Sequence, residues 1–222
     1  MGEHLTLSAG DGHTLDAYKA MPEGTPRGGL IVVQEIFGVN SHVRAVADGF
    51  AADGYVALAP ALFDRAERGV DLGYTADGMA KGRGIMSALD WDDTVADVKA
   101  AVAELSGAGK VGLVGYCWGG SVAWVAAVRA GLDCSVGYYG GRIIDFVGET
   151  PTCPVMLHFG DKDAAIPIDD VEKIKAAHPD VPVHRYAEAQ HGFNCDERAS
   201  WDADSAKLAR ERTLEFFREH IG

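Results

Sequence analysis

Hydrophobic positions along the chain switch repeatedly between two periods. Leu5–Ser8 and Leu15–Ala20 alternate apolar with polar residues around Asp11-Gly12, which predicts an opening antiparallel hairpin. Gly29-Leu30-Ile31-Val32-Val33-Gln34 is instead a continuous apolar run, as in a strand buried on both faces of a parallel sheet. Tyr55–Pro60, Val111–Gly115, Val136–Tyr139, Val155–Phe159 and Val183–Tyr186 supply further strands. Helical spacing fills the intervals. Val43, Val46, Ala47 and Phe50 share one face of a helix capped by Ser41 and ending at Ala52. Val95, Val98 and Val102 do the same in Asp92–Leu105, Ser121–Ala130 is a helix of small residues, and Leu208, Leu214 and Phe217 mark Ser205–His220. Leu62 to about Asp90 is too polar for core and too long for a simple connection, so it reads as a functional loop with short helical pieces.

Strand alternating with helix over the whole length predicts a single α/β domain over residues 1–222, with a mostly parallel sheet flanked by helices. In such sheets the site lies beyond the carboxyl ends of the strands.

Composition narrows the function. The formal net charge is −13, which opposes a nucleic-acid surface and an anchor to anionic lipid. No window reaches the ~20 apolar residues of a membrane span. The start lacks the basic and apolar regions of a signal peptide, and although Gly2–Thr6 fits the loose myristoylation pattern, its alternation reads as a strand. The expectation is a cytoplasmic monomer or homodimer. Four cysteines without a C-x-x-C pair argue against a disulfide scaffold, and no dense His/Cys/Asp/Glu cluster calls for a metal. The 28 glycines are about twice the usual ~7%, and part of the excess, including Gly38, Gly115, Gly160 and Gly192, falls in turns at strand ends.

Gly115-Tyr116-Cys117-Trp118-Gly119-Gly120 lies between a predicted strand and helix. It has the form of the G-x-S-x-G nucleophile elbow, with cysteine in the serine position. A helix N-terminus behind the tip favours a thiolate, the nucleophilic form. Such a thiol needs a proton shuttle and a group to orient it, in the chain order nucleophile, acid, histidine. Asp161 and Asp163 both follow the strand ending at Phe159. Asp161 is placed to shape the turn, and Asp163 lies further out, where it can reach the histidine loop. His191, beside Gly192, is the one of eight histidines with the right order and context. His158, within a strand, reads as a packed support.

Gln34-Glu35-Ile36-Phe37-Gly38, the Cys117 elbow, Gly160-Asp161-Lys162-Asp163 and His191-Gly192-Phe193 together resemble the dienelactone hydrolase family, in order and across nearly the whole chain. The resemblance implies an α/β-hydrolase fold, a Cys117–His191–Asp163 triad, and no cofactor. It implies that Glu35 lies against the resting thiol and takes its proton, with a pKa raised by burial. It also implies an oxyanion hole from the backbone N–H groups of Ile36 and Trp118. The substrate is then a small ester or lactone, with dienelactone (4-carboxymethylenebut-2-en-4-olide) as the specific expectation. Arg198 and Arg83, the latter beside Lys81, are the candidates for holding a substrate carboxylate. The family's best-described arginine falls where this chain has Cys195. Phe37, Tyr138 and Tyr139 are candidate pocket residues. The rival readings are a redox-sensing thiol with Cys195 as its resolving partner, and a silent binding module on the same fold.

Overall fold

The computed structural model describes residues 2–222. The unbroken apolar runs are the centre of one eight-stranded sheet. Its strands are β1 (Glu3–Ser8), β2 (Thr14–Ala20), β3 (Gly29–Val33), β4 (Val56–Pro60), β5 (Val111–Tyr116), β6 (Cys134–Tyr138), β7 (Val155–Gly160) and β8 (Val183–Tyr186). The spatial order is β1-β2-β4-β3-β5-β6-β7-β8. The opening hairpin forms as its alternation predicts and adds β2 antiparallel to β4, while β4 through β8 are parallel. Every residue of β3, β4, β5, β6 and β7 is buried, which is why those segments carry no polar alternation.

Six helices cover the sheet: α1 (Ser41–Ala52), α2 (Ala76–Ser87), α3 (Trp91–Leu105), α4 (Trp118–Arg129), α5 (Ile168–Ala177) and α6 (Ala203–His220). Val43, Ala47 and Phe50 of α1 pack with Phe216 and Phe217 of α6 in one apolar layer. Val98 and Ala101 of α3 pack with Val122 and Ala126 of α4 in the other. No described helix is long and apolar enough to cross a membrane.

Some boundaries differ from expectation. Asn40, not Ser41, caps α1, accepting from the Val43 amide at 3.2 Å. Asp202 caps α6 through the Ser205 amide, so that helix begins two residues earlier than the apolar spacing indicates. The excursion after β4 contains a full three-turn helix, α2, capped by Thr75.

Below the sheet's carboxyl edge lies a buried polar chain. Arg212 donates to the Tyr186 hydroxyl (3.2 Å), which meets His158 Nδ1 at 2.8 Å; His158 Nε2 meets Thr213 Oγ1 at 3.1 Å, and Thr213 meets the Tyr138 hydroxyl at 2.6 Å. Burial drives the His158 pKa well down, so the ring is neutral and supports packing, as expected.

Candidate active site

Each proposed functional residue stands at the carboxyl end of a strand: Glu35 and Ile36 after β3, Cys117 after β5, Asp163 after β7 and His191 after β8. Cys117 occupies the turn from β5 into α4 with φ 57° and ψ −116°, a conformation that a non-glycine residue rarely adopts. The turn is held by Cys117 N–H donating to the Tyr138 carbonyl at 3.0 Å, and by Gly120 N–H donating back to the Cys117 carbonyl at 2.9 Å. A Cβ on Gly115 would overlap the Gly119 carbonyl oxygen, so glycine at that point is what lets β5 and α4 meet so sharply.

His191 connects the thiol to the acid. Its Nε2 lies 3.1 Å from Cys117 Sγ and its Nδ1 lies 2.7 Å from Asp163 Oδ2. The other Asp163 oxygen accepts from the Ala165 amide at 2.8 Å, which fixes the carboxylate. Asp161 is turned away and accepts from Arg185 at 2.7 Å. Burial alone would lower the His191 pKa, but the hydrogen bonds to Asp163 and Cys117 raise it to about 10. The ring is therefore an imidazolium near neutral pH, donating from both nitrogens.

Glu35 differs from the arrangement that the resemblance implies. It is 2% exposed, yet no hydrogen bond joins it to the thiol. Arg198 Nη1 reaches its Oε1 at 3.0 Å, and its Oε2 is buried without a partner among the described residues. The thiol is on His191 and Glu35 is on Arg198, because a guanidinium is the stronger partner for a buried carboxylate. Arg198 also stacks over Phe37 and Tyr74, with its guanidinium carbon 5.7 and 5.9 Å from the ring centroids.

The thiol opens into a cavity of about 200 Å³. Cys117, His191, Ile36, Phe37, Trp118, Arg83 and Arg198 line it. The backbone N–H groups of Ile36 and Trp118 donate to no other group among the described residues. Tyr139 does not line the cavity. It is fully buried, and its ring packs 5.1 Å from that of His191, backing the imidazole. Tyr138 is equally buried, within the polar chain described above.

Met79 and Met86 of α2, with Arg142 and Ile166, also line the cavity and were missed in the sequence. Their signal was available: Met79, Arg83 and Met86 are spaced four and three apart, one face of a helix. A Cβ on Gly82 would overlap the Ile36 carbonyl oxygen, so α2 rests directly on the loop that carries Ile36.

The dienelactone hydrolase family model matches residues 15–221. The chain belongs to the dienelactone hydrolase family. It is 33% identical over 224 residues to the carboxymethylenebutenolidase of Pseudomonas putida, covering 96% of this chain and 95% of that one. The carboxymethylenebutenolidase of Pseudomonas knackmussii matches to the same extent. The crystal structure of a candidate dienelactone hydrolase from Klebsiella pneumoniae superposes with a TM-score of 0.87 at 29% identity, covering 99% of this chain and 100% of that one. Like its family, this dienelactone hydrolase homologue is an enzyme that acts on lactones or esters, with a small molecule as substrate.

Proposed function

We propose that the enzyme hydrolyses its ester or lactone through a thioester on Cys117, with His191 as proton shuttle and Asp163 as its orienting acid. The observation that carries this reading is the placement of one imidazole within hydrogen-bond reach of both the strained thiol and a fixed carboxylate. Cys117 Sγ attacks the acyl carbon. The developing oxyanion accepts from the Ile36 and Trp118 amides, which need no reorganisation. His191 gives its proton to the departing oxygen, which in a lactone opens the ring. Once sulfur is acylated, the Cys117 contribution to the raised His191 pKa is gone, so the imidazole can take a proton from the attacking water. Collapse of the second tetrahedral intermediate releases the acid and returns the Cys117 sulfur to its contact with the protonated His191 ring.

The small, largely apolar cavity suits a compact substrate. Arg198 offers a cation beside the nucleophile, and a substrate carboxylate there competes with Glu35 for the same guanidinium. Glu35 freed in this way is available to accept the thiol proton. Arg83, with no ion-pair partner among the described residues, is a second cation at the cavity wall. These features, with the names of the Pseudomonas relatives, favour dienelactone hydrolysed to maleylacetate.

The redox-sensing alternative is weakened by Cys195, whose thiol burial pushes up to about 11, leaving little thiolate to resolve an oxidised Cys117. A spectrophotometric panel comparing dienelactone with aryl acetates tests the substrate. Preference for the carboxylate-bearing lactone that disappears in Arg198→Met supports the reading. Turnover of aryl esters without turnover of the lactone refutes that substrate.

A further inference from the structure

A second cavity, of about 450 Å³, opens between α1 and α6. It exists because both helices carry small residues there: Ala45 and Gly49 on α1, Ala203 and Ala206 on α6. Tyr116, the residue before the nucleophile, also lines it. Tyr116 is only 5% exposed, and its hydroxyl has no hydrogen-bond partner among the described residues. Burial of the ring raises the phenol pKa, so the hydroxyl remains protonated, and it is open at the groove as a donor.

The charges around this groove are unevenly matched. Arg210 is paired with Asp53 at 2.7 Å, and Asp196 is engaged by His42 at 3.0 Å. Lys207, three residues before Arg210 on α6, has no acidic partner among the described residues. Trp201 also lines the groove and leaves half of its surface, 49%, exposed. A free ammonium, a phenol hydroxyl open to the groove and a half-exposed indole are together complementary to a flat anion.

We propose that the groove is a second small-molecule site, which takes a planar organic carboxylate: the carboxylate accepts from the Tyr116 hydroxyl and the Lys207 ammonium, and the apolar body lies against Trp201. This site is independent of the reaction assigned to Cys117, but it shares a loop with it. His191 and Arg198 line the catalytic cavity, while Asn194, Asp196 and Trp201, from the same stretch of chain, line the groove. Successive turns stiffen that stretch: Arg198 N–H donates to the Cys195 carbonyl, Trp201 N–H to the Arg198 carbonyl and Asp202 N–H to the Phe193 carbonyl, each at 3.1 Å. A ligand seated on Trp201 therefore bears on the segment that holds Arg198 against Glu35.

The test is calorimetric titration of benzoate into enzyme whose Cys117 has been alkylated with iodoacetamide, so that the catalytic cavity is blocked. One saturable site is expected, weakened about tenfold by Tyr116→Phe and by Lys207→Met, each of which removes one hydrogen bond to a charged group. A benzoate-dependent change in tryptophan emission should vanish in Trp201→Phe. Absence of saturable binding to the alkylated enzyme, or binding that both Tyr116→Phe and Lys207→Met leave unchanged, overturns the proposal.

Discussion

Glu35 and Arg198, 163 residues apart in the chain, form an ion pair of 3.0 Å beside the proposed nucleophile, and both are largely buried. Breaking such a pair from one side strands a charge. Arg198→Met should therefore cost about 3–5 kcal/mol of stability at neutral pH. Glu35→Gln combined with Arg198→Met should recover a substantial part of that loss. Urea midpoints at constant m-value measure both. Equal losses in the single and double variants would mean that the pair carries no coupling.

The His191 pKa gives a second prediction. It is raised from 6.5 to about 10, so the folded state binds the proton more tightly than the unfolded chain. The stabilisation this provides is complete below pH 6.5 and is lost as pH rises through about 10. In an NMR titration the ring should still be an imidazolium at pH 8. Replacing Cys117 with alanine removes two of the contributions that raise the value, so the midpoint should fall. In the intact enzyme kcat/KM should decline above pH 10, as the proton for the leaving group is lost. A ring that titrates near 6.5 would contradict the ion-paired arrangement.

Gly82→Ala tests the contact between α2 and the Ile36 loop, the proposed source of an oxyanion donor. The added methyl overlaps the Ile36 carbonyl oxygen and must displace one element from the other. Loss of an oxyanion donor costs about 10²–10³ in kcat, and a shifted one should cost a part of that, roughly tenfold or more. Circular dichroism should be unchanged, since α2 is otherwise half exposed. Met86→Ala, which enlarges the same wall, should instead shift selectivity toward bulkier esters with kcat for acetate retained.

Thr213→Val tests the polar chain behind the site. It leaves His158 Nε2 and the Tyr138 hydroxyl without their shared partner in a fully buried place. A loss of about 1–3 kcal/mol is expected in thermal or urea unfolding. Thr213→Ser should restore most of it.

Much of this was legible in the sequence, for identifiable reasons. Strands buried on both faces leave continuous apolar runs, and a sharp strand–helix turn demands glycines at fixed positions, so β3 to β7 and the turn that carries Cys117 were readable, as was the grouping of Cys117, Asp163 and His191. The choice of Asp163 over Asp161 followed from its greater distance from the strand end. Other features left weaker traces. Helix α5 buries only Val171 and Ile174 among polar residues, too sparse a stripe to stand out. Helix α2 carries three glycines, which disguised its Met79–Arg83–Met86 face. The partner of Glu35 could not be read at all, because the pairing is made across the fold, and Tyr139 was misplaced because a strand-end aromatic can turn either way.

The central claim is that Cys117 carries the acyl group. The most direct measurement is rapid acid quench of the enzyme with p-nitrophenyl acetate, followed by peptide mass spectrometry. A burst of p-nitrophenolate, with an acetyl adduct on the Cys117 peptide that is absent in Cys117→Ala, is the predicted result. Undiminished turnover by Cys117→Ala, or a burst with the acetyl group on another residue, would contradict it.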